Sequence, residues 1–142
     1  MVFLLLLIFI STVLSSQELY APPILVGGSY VLSTNYEGAK NSSTGIKRLL
    51  NSETEDTWQV FHFCTKDGQN KDKCGAWVDK NGKKIAGANN NVKEVEDGTE
   101  ISKMQLSDSG RYSRHPSDPV KEALEWVVVS VQEGPKPPPH TY

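Results

Sequence analysis

The stretch EDGTEISKMQLSDSGRYS, from Glu96 to Ser113, carries the pattern that decides the fold of this chain. Asp97-Gly98 is a turn signal, and the apolar residues after it are separated by polar ones, as in a half-buried strand. Those apolar residues are Ile101, Met104 and Leu106. The triplet Asp108-Ser109-Gly110 then favours a tight turn, because Asp and Ser bond to the local backbone and Gly reaches positive φ. We therefore predict two strands joined by a sharp corner, with Tyr112 on the second strand.

The spacing of Asp108, Gly110 and Tyr112 has the form D-x-G-x-Y. It resembles the E strand, the E–F corner and the F strand of an immunoglobulin domain, where the Tyr hydroxyl bonds back to upstream backbone and closes the corner. The alternative is an ordinary strand and turn followed by an incidental tyrosine. The resemblance implies an all-β fold, an immunoglobulin-like antiparallel β-sandwich of two sheets.

Composition sets limits on the class of protein. The chain has 142 residues, of which 37% are hydrophobic and 23% charged, which is typical of one globular domain. Its net charge of −2 argues against a nucleic-acid or membrane-surface role, since either would need a basic patch. The three histidines do not have helical metal-ligand spacing, and no phosphate loop or paired acids are recognisable. We therefore expect neither an enzyme nor a cofactor or metal.

The first sixteen residues indicate a secretory signal peptide. They contain the apolar run FLLLLIFI and a cleavage-like pattern, Val13-x-Ser15. The region before the run has no Lys or Arg, so a retained signal anchor is the alternative, but the run is short for a bilayer span of about 20 residues. We expect cleavage, secretion and no stable membrane insertion afterwards.

Segments rich in Pro, Gly and Ser divide the remaining chain into three parts. Residues 17–45 are expected to be an N-terminal extension, with an edge strand in ILVGGSYVLS and a glycan acceptor at Asn41. Residues 46–133 are predicted to be the immunoglobulin-like domain. The Pro-rich residues 134–142 are predicted to be an extended tail.

The resemblance can be placed on the chain in two registers. In the first, Cys64 is on strand B and Trp77, thirteen residues later, is the buried Trp of strand C. The second Cys of the family would then fall at Arg114, a spacing that suits the compact I-type domain. In the other register, GSYVLST is strand B, with Thr34 at the position of the family's strand B cysteine, and Trp58 is on strand C.

Arg114 cannot form the sheet-to-sheet disulfide of the family. A dry core would penalise it by several kcal/mol, so the end of its strand is expected to turn outward or let the side chain reach solvent. We expect Cys64 to pair with Cys74 instead, because a secreted protein favours a disulfide over free thiols. His62, two residues before Cys64, is interpreted as a core-facing residue rather than as half of a thiol–imidazole pair.

Alternation on the last strand predicts a binding surface. Val127, Val129 and Val131 form an apolar row that should face the core. Trp126 and Val128 then face outward, beside Val78, in a patch that suits an interface unless the tail or the N-terminal segment covers it. The predicted function is extracellular protein recognition or adhesion through a receptor ectodomain or similar partner, with a homodimer allowed. A secreted inhibitor or defence factor on the same fold is the alternative.

Overall fold

The computed structural model describes residues 18–33, 43–54, 57–116 and 126–139. The predicted signal peptide, 1–16, and the glycan acceptor Asn41 lie outside these residues. The described chain is all-β, with eleven strands, one short 3₁₀ helix at Leu106–Asp108 and no α-helix. The strands are β1 Leu19–Tyr20, β2 Ile24–Leu25, β3 Tyr30–Leu32, β4 Gly45–Leu50, β5 Gln59–His62, β6 Trp77–Val78, β7 Val92–Val95, β8 Gly98–Ile101, β9 Gly110–His115, β10 Val127–Val129 and β11 Val131–Gln132.

The strands form three sheets. The largest has six strands in the order β1-β10-β9-β4-β5-β6, all antiparallel except the β1–β10 pair. A three-stranded antiparallel sheet has the order β3-β8-β7, and β11 pairs with β2 in parallel. The core draws side chains from all three sheets, which is consistent with a β-sandwich. Its buried members are Ile24, Leu32, Ile46, Phe61, Trp77, Ile101, Met104, Tyr112, Val129 and Val131.

The predicted corner is present between β8 and β9. The Tyr112 hydroxyl donates a hydrogen bond to the Asp108 carbonyl oxygen at 2.6 Å, and the ring is fully buried. Gly110 is required at the start of β9, because a Cβ there would lie 2.3 Å from the carbonyl oxygen of Leu49 on β4. Leu106 differs from expectation: it lies in the 3₁₀ helix rather than on a strand, and is 48% exposed.

The predicted boundary at residue 46 does not separate an extension from the fold. Of the segment 17–45, the described part contributes β1, β2 and β3, which pair with β10, β11 and β8. Ile24 and Leu32 from this segment belong to the core. The segment does form edge strands, as expected, but they are two or three residues long. Pairing with distant parts of the chain defines them, and no local pattern signals that pairing.

Neither tryptophan that the two registers assign to strand C is on a strand beside Tyr112. One neighbour of β9 is β4, and Arg48 lies opposite Tyr112. Trp77 is on β6, at the far edge of the sheet, and Trp58 precedes β5. Trp77 is nonetheless fully buried, because its large indole extends into the core and meets the Tyr112 ring edge-on, with 6.2 Å between centroids.

Candidate interface on the outer face of the six-stranded sheet

Alternation along β4 separates the inner face of the six-stranded sheet from its outer face. Ile46 and Arg48 are buried inward, so Lys47 points outward. Across the sheet, Lys47 is opposite Val60 of β5 and Ser113 of β9. The outer face is the surface on which the sequence predicted an interface.

Two tryptophans and a lysine meet on this outer face. Trp58 and Trp126 are stacked, with 4.6 Å between ring centroids and an interplanar angle of 28°. The ammonium of Lys47 lies 4.5 Å from the Trp58 centroid and 5.3 Å from the Trp126 centroid, within the range of a cation–π interaction. We call Trp58, Trp126 and Lys47 the Trp–Lys cluster. All three side chains are half-buried, so part of each is available to a partner.

The three predicted interface residues have different positions. Trp126 immediately precedes β10 and Val128 is on it, and both are half-buried, as expected. Val128 is opposite Arg111 of β9. Val78 is not beside them. It is on β6, four strands away or about 19 Å at about 4.8 Å per strand, and it is only 3% exposed. The sequence placed it wrongly because it assumed that Trp77 and Val78 were on the strand next to β9.

The core side of β10 and β11 is as the sequence predicted. Val129 is completely buried, Val131 is 5% exposed, and Val127 packs partly buried against the core. The row of apolar residues on the last strand therefore identified the inner face correctly. The outward orientation of Trp126 and Val128 follows from the same alternation.

Strand β1 extends the outer face at the β10 edge. Tyr20 is opposite Val128 and is 71% exposed. Its hydroxyl donates a hydrogen bond to Glu18 at 2.9 Å, and Glu18 also forms an ion pair with Arg111. The hydrogen bond and the negative charge of Glu18 raise the pKa of Tyr20. This edge of the sheet therefore presents an aromatic side chain held by charged neighbours.

Two histidines lie at the other end of the outer face. His62 of β5 and His115 of β9 are both opposite Gly45 of β4, and their rings meet edge-on with 5.6 Å between centroids. His62 therefore faces outward, not into the core as the sequence suggested. Burial, then the charge of His62, then that of Lys47 lower the pKa of His115.

Beneath this sheet, Arg48 organises a buried polar network that the sequence did not reveal. Arg48 is 1% exposed and donates to Gln59 at 2.8 Å, Asp108 at 3.1 Å and the Tyr112 hydroxyl at 3.3 Å. Its guanidinium carbon lies 3.9 Å from the Trp77 ring centroid. Burial raises the pKa of Tyr112 to about 12, and Arg48 opposes this shift. The signal available in the sequence was the alternation of IKRLLN, which puts Arg48 on the same face as Ile46.

Arg114 is not the buried arginine of this sheet. It lies opposite Ile46 near the end of β9 and is half-buried. Arg114 therefore avoids the desolvation cost expected for an arginine in a dry core. Arg48 is the residue whose charge is desolvated, and its hydrogen bonds and its ion pair with Asp108 offset that cost.

Cys64 and Cys74 are joined by a disulfide, as predicted, with their Cα atoms 4.9 Å apart. The bridge closes the loop that follows β5. Within the loop, the side chain of Asn70 donates to the Phe63 carbonyl oxygen at 2.7 Å and accepts from the Thr65 backbone N–H at 3.0 Å. The loop is therefore fixed at its base by the bridge and these two hydrogen bonds, and the disulfide is compatible with an extracellular location.

The described residues contain no group of three or more His, Cys, Asp or Glu side chains that could hold a metal ion. No helix in the same residues is long and apolar enough to cross a membrane. Comparison with known proteins finds no family model and no curated protein that matches this chain.

Proposed function

We propose that this chain is a secreted immunoglobulin-like domain that recognises another extracellular protein through the outer face of its six-stranded sheet. The Trp–Lys cluster is the observation that carries the proposal. A half-buried tryptophan pair on a sheet face offers a large rigid apolar surface, and tryptophan is enriched among the residues that dominate binding energy. Lys47 adds a positive charge at the same place.

The order of the strands supports an immunoglobulin-like domain of the variable type. Such domains add two strands to the sheet of strands G, F and C, and place strands B, E and D on the other sheet. If β9 is strand F, then β10 is G, β4 is C, and β5 and β6 are the two added strands. The sheet β3-β8-β7 then corresponds to B-E-D. This assignment agrees with the GSYVLST register on strand B, because β3 lies within that stretch. It agrees with neither register on strand C, which is β4 here.

An extracellular binding screen with the purified protein, followed by Trp126→Ala, tests the proposal. We expect the substitution to cost at least about 2 kcal/mol of affinity, or about thirtyfold in Kd, because it removes half of the tryptophan pair. The fold should remain cooperative, since Trp126 is half-buried and the core does not depend on it. Surface plasmon resonance and thermal unfolding measure the two effects.

Val31→Ala is the matched control. Val31 lies on β3 of the three-stranded sheet and is 40% exposed, so its truncation removes apolar surface elsewhere on the molecule. It should leave affinity unchanged. If Trp126→Ala binds normally while Val31→Ala weakens binding, the partner uses the other sheet and the proposed face is wrong.

The captured partner separates the proposal from its alternatives. A receptor ectodomain or adhesion protein supports recognition, whereas a protease or microbial enzyme that loses activity on binding would favour the inhibitor or defence function. The outer face could also pair with a second copy of the chain. Sedimentation equilibrium detects this, since a dimer through the Trp–Lys cluster should dissociate in Trp126→Ala.

A further inference from the structure

A pocket of about 380 Å³ opens on the outer face beside the Trp–Lys cluster, since its lining residue Val60 is directly opposite Lys47. Val60 and Val78, which are directly opposite each other on β5 and β6, supply its apolar lining. His62, His115, Lys73 and Lys80 supply its basic groups. A concave site with apolar walls and a few convergent polar groups is the usual form of a binding pocket.

The histidine pair is possible because of the residue between its members. Gly45 is opposite both His62 and His115, and it has no side chain to separate the two rings. A Cβ on Gly45 would lie 2.1 Å from the Phe61 carbonyl oxygen, so β4 and β5 accept only glycine here. Two titratable groups are thereby held side by side on the pocket wall.

The charges around this pair are mostly positive. Lys47 of β4 acts on His115 from the cluster side, Lys73 comes from the disulfide loop, and Lys80 follows β6. Asp79 is the one acidic side chain among the described lining residues. Its carboxylate already accepts hydrogen bonds from the backbone N–H groups of Asn81 at 2.9 Å and Lys83 at 3.0 Å, within a turn.

Lys47, Lys73, Lys80 and Asp79 together give the site a net charge of +2 when both histidines are neutral, and of +4 when both are protonated. The half-buried position of His115 and its positive neighbours hold down its pKa. A carboxylate brought into the pocket reverses both effects, because it pairs with the lysines and favours the protonated imidazoles. Binding and proton uptake are then linked, as they are for any group whose pKa changes on binding.

We propose that this pocket receives an aspartate or glutamate side chain of the protein partner, and that the two histidines make its affinity rise as the pH falls below about 7. The inference rests on the proposed function, since the pocket is on the same outer face. It adds the chemistry of the partner, an acidic segment, and a regulation by pH. The partner's apolar residues would contact the Trp–Lys cluster while its carboxylate enters the basic pocket.

The test uses the full chain and two end-blocked five-residue peptides. One peptide has a central glutamate flanked by valines, and the other has glutamine in its place. Binding is followed by NMR through the backbone amide signals of the pocket residues, which every variant retains, at about pH 6 and about pH 7.5. We expect the acidic peptide to bind at least about fivefold more tightly than its neutral counterpart at the lower pH, and this preference to shrink at the higher pH.

Substitutions separate the roles of the pocket groups. The double variant His62→Gln/His115→Gln should retain the affinity measured at the higher pH and lose its dependence on pH. Lys73→Gln with Lys80→Gln should weaken binding at both pH values. Lys93→Gln is the control, because Lys93 is on β7 of the other sheet and its side chain is 69% exposed. It should change nothing.

Three results would overturn the inference: equal binding of the two peptides, a pH dependence that survives the double histidine variant, or binding of an acidic oligosaccharide in place of the peptide. The proposed function is judged separately by Trp126→Ala. If that variant loses the captured partner while the histidine and lysine variants bind it normally, the pocket assignment is wrong and the recognition face remains.

Discussion

Lys47 and Arg48 are consecutive residues of β4, yet they lie on opposite faces of one sheet and each rests against tryptophan. Arg48 is inside, with its guanidinium carbon 3.9 Å from the Trp77 ring centroid. Lys47 is outside, with its ammonium 4.5 Å from the Trp58 centroid. The two residues show how one strand serves two purposes, stability on the inner face and surface chemistry on the outer face.

The difference between the two cations lies in their partners. Arg48 offers several donors in a planar group, and three of its hydrogen bonds are to Gln59, Asp108 and Tyr112. A buried charge is tolerated only when it is paired in this way. Lys47 is half-buried and keeps contact with water, so its charge needs less compensation. The inner group is therefore held by its hydrogen bonds, whereas the outer group is partly exposed beside the two tryptophans.

Of the substitutions that test this comparison, Arg48→Ala is expected to change the free energy of unfolding most. It leaves the Asp108 carboxylate, 3% exposed, without its ion-pair partner. Breaking a buried pair in this way costs about 3–5 kcal/mol of unfolding free energy. Urea denaturation followed by tryptophan fluorescence measures it. A loss of less than about 1 kcal/mol would mean that water or the hydrogen bonds that Asp108 accepts from Asn89 and Gln105 compensate for the lost cation, and that Arg48 is not essential to the network.

Tyr112→Phe should have the next largest effect. The ring stays in the core, but the hydrogen bond to the Asp108 carbonyl oxygen and the one accepted from Arg48 are both lost. We expect about 1–3 kcal/mol of destabilisation, since buried groups are left unpaired. Denaturation curves that superimpose on those of the parent protein would show that the corner does not need the hydroxyl.

Lys47→Met tests the outer cation and is the matched control for Arg48→Ala. It retains the length and apolar character of the side chain and removes the charge over the Trp58 and Trp126 rings. A cation–π interaction at an exposed site contributes about 0.5–1 kcal/mol, so the change in unfolding free energy should not exceed about 1 kcal/mol. A larger loss, comparable to that of Arg48→Ala, would remove the distinction between the two faces.

The smallest effect is a pH dependence that arises from His115. Its pKa in the folded protein is below the ordinary value of 6.5, so the unfolded chain binds the proton first as the pH falls. Stability should therefore be greatest above about pH 6.5 and decrease as the pH falls through it. His115→Gln should flatten the profile of thermal unfolding against pH in that range. If the profile of His115→Gln is unchanged, the pH dependence of stability arises from other groups.

The sequence by itself determined the elements that depend on neighbouring residues. The corner at Asp108, Gly110 and Tyr112 forms as predicted because its hydrogen bonds link residues four positions apart. Alternation on the last strand identified Val127, Val129 and Val131 as the row that faces the core, since the side chains of a strand face opposite sides by geometry. The disulfide between Cys64 and Cys74 also closes a short loop, and the sequence predicted it.

Tertiary structure alone decided which strands are neighbours, and with that the composition of both faces. Arg48 and Asp108 are 60 positions apart and meet only because β4 pairs with β9. That pairing, together with those of β4 with β5 and of β9 with β10, brings Lys47 to Trp58 and Trp126. The same strand order places Val78 on β6, away from Trp126. Local pattern could not supply this, because the favourable free energy of such contacts appears only after the intervening chain has been ordered at an entropic cost.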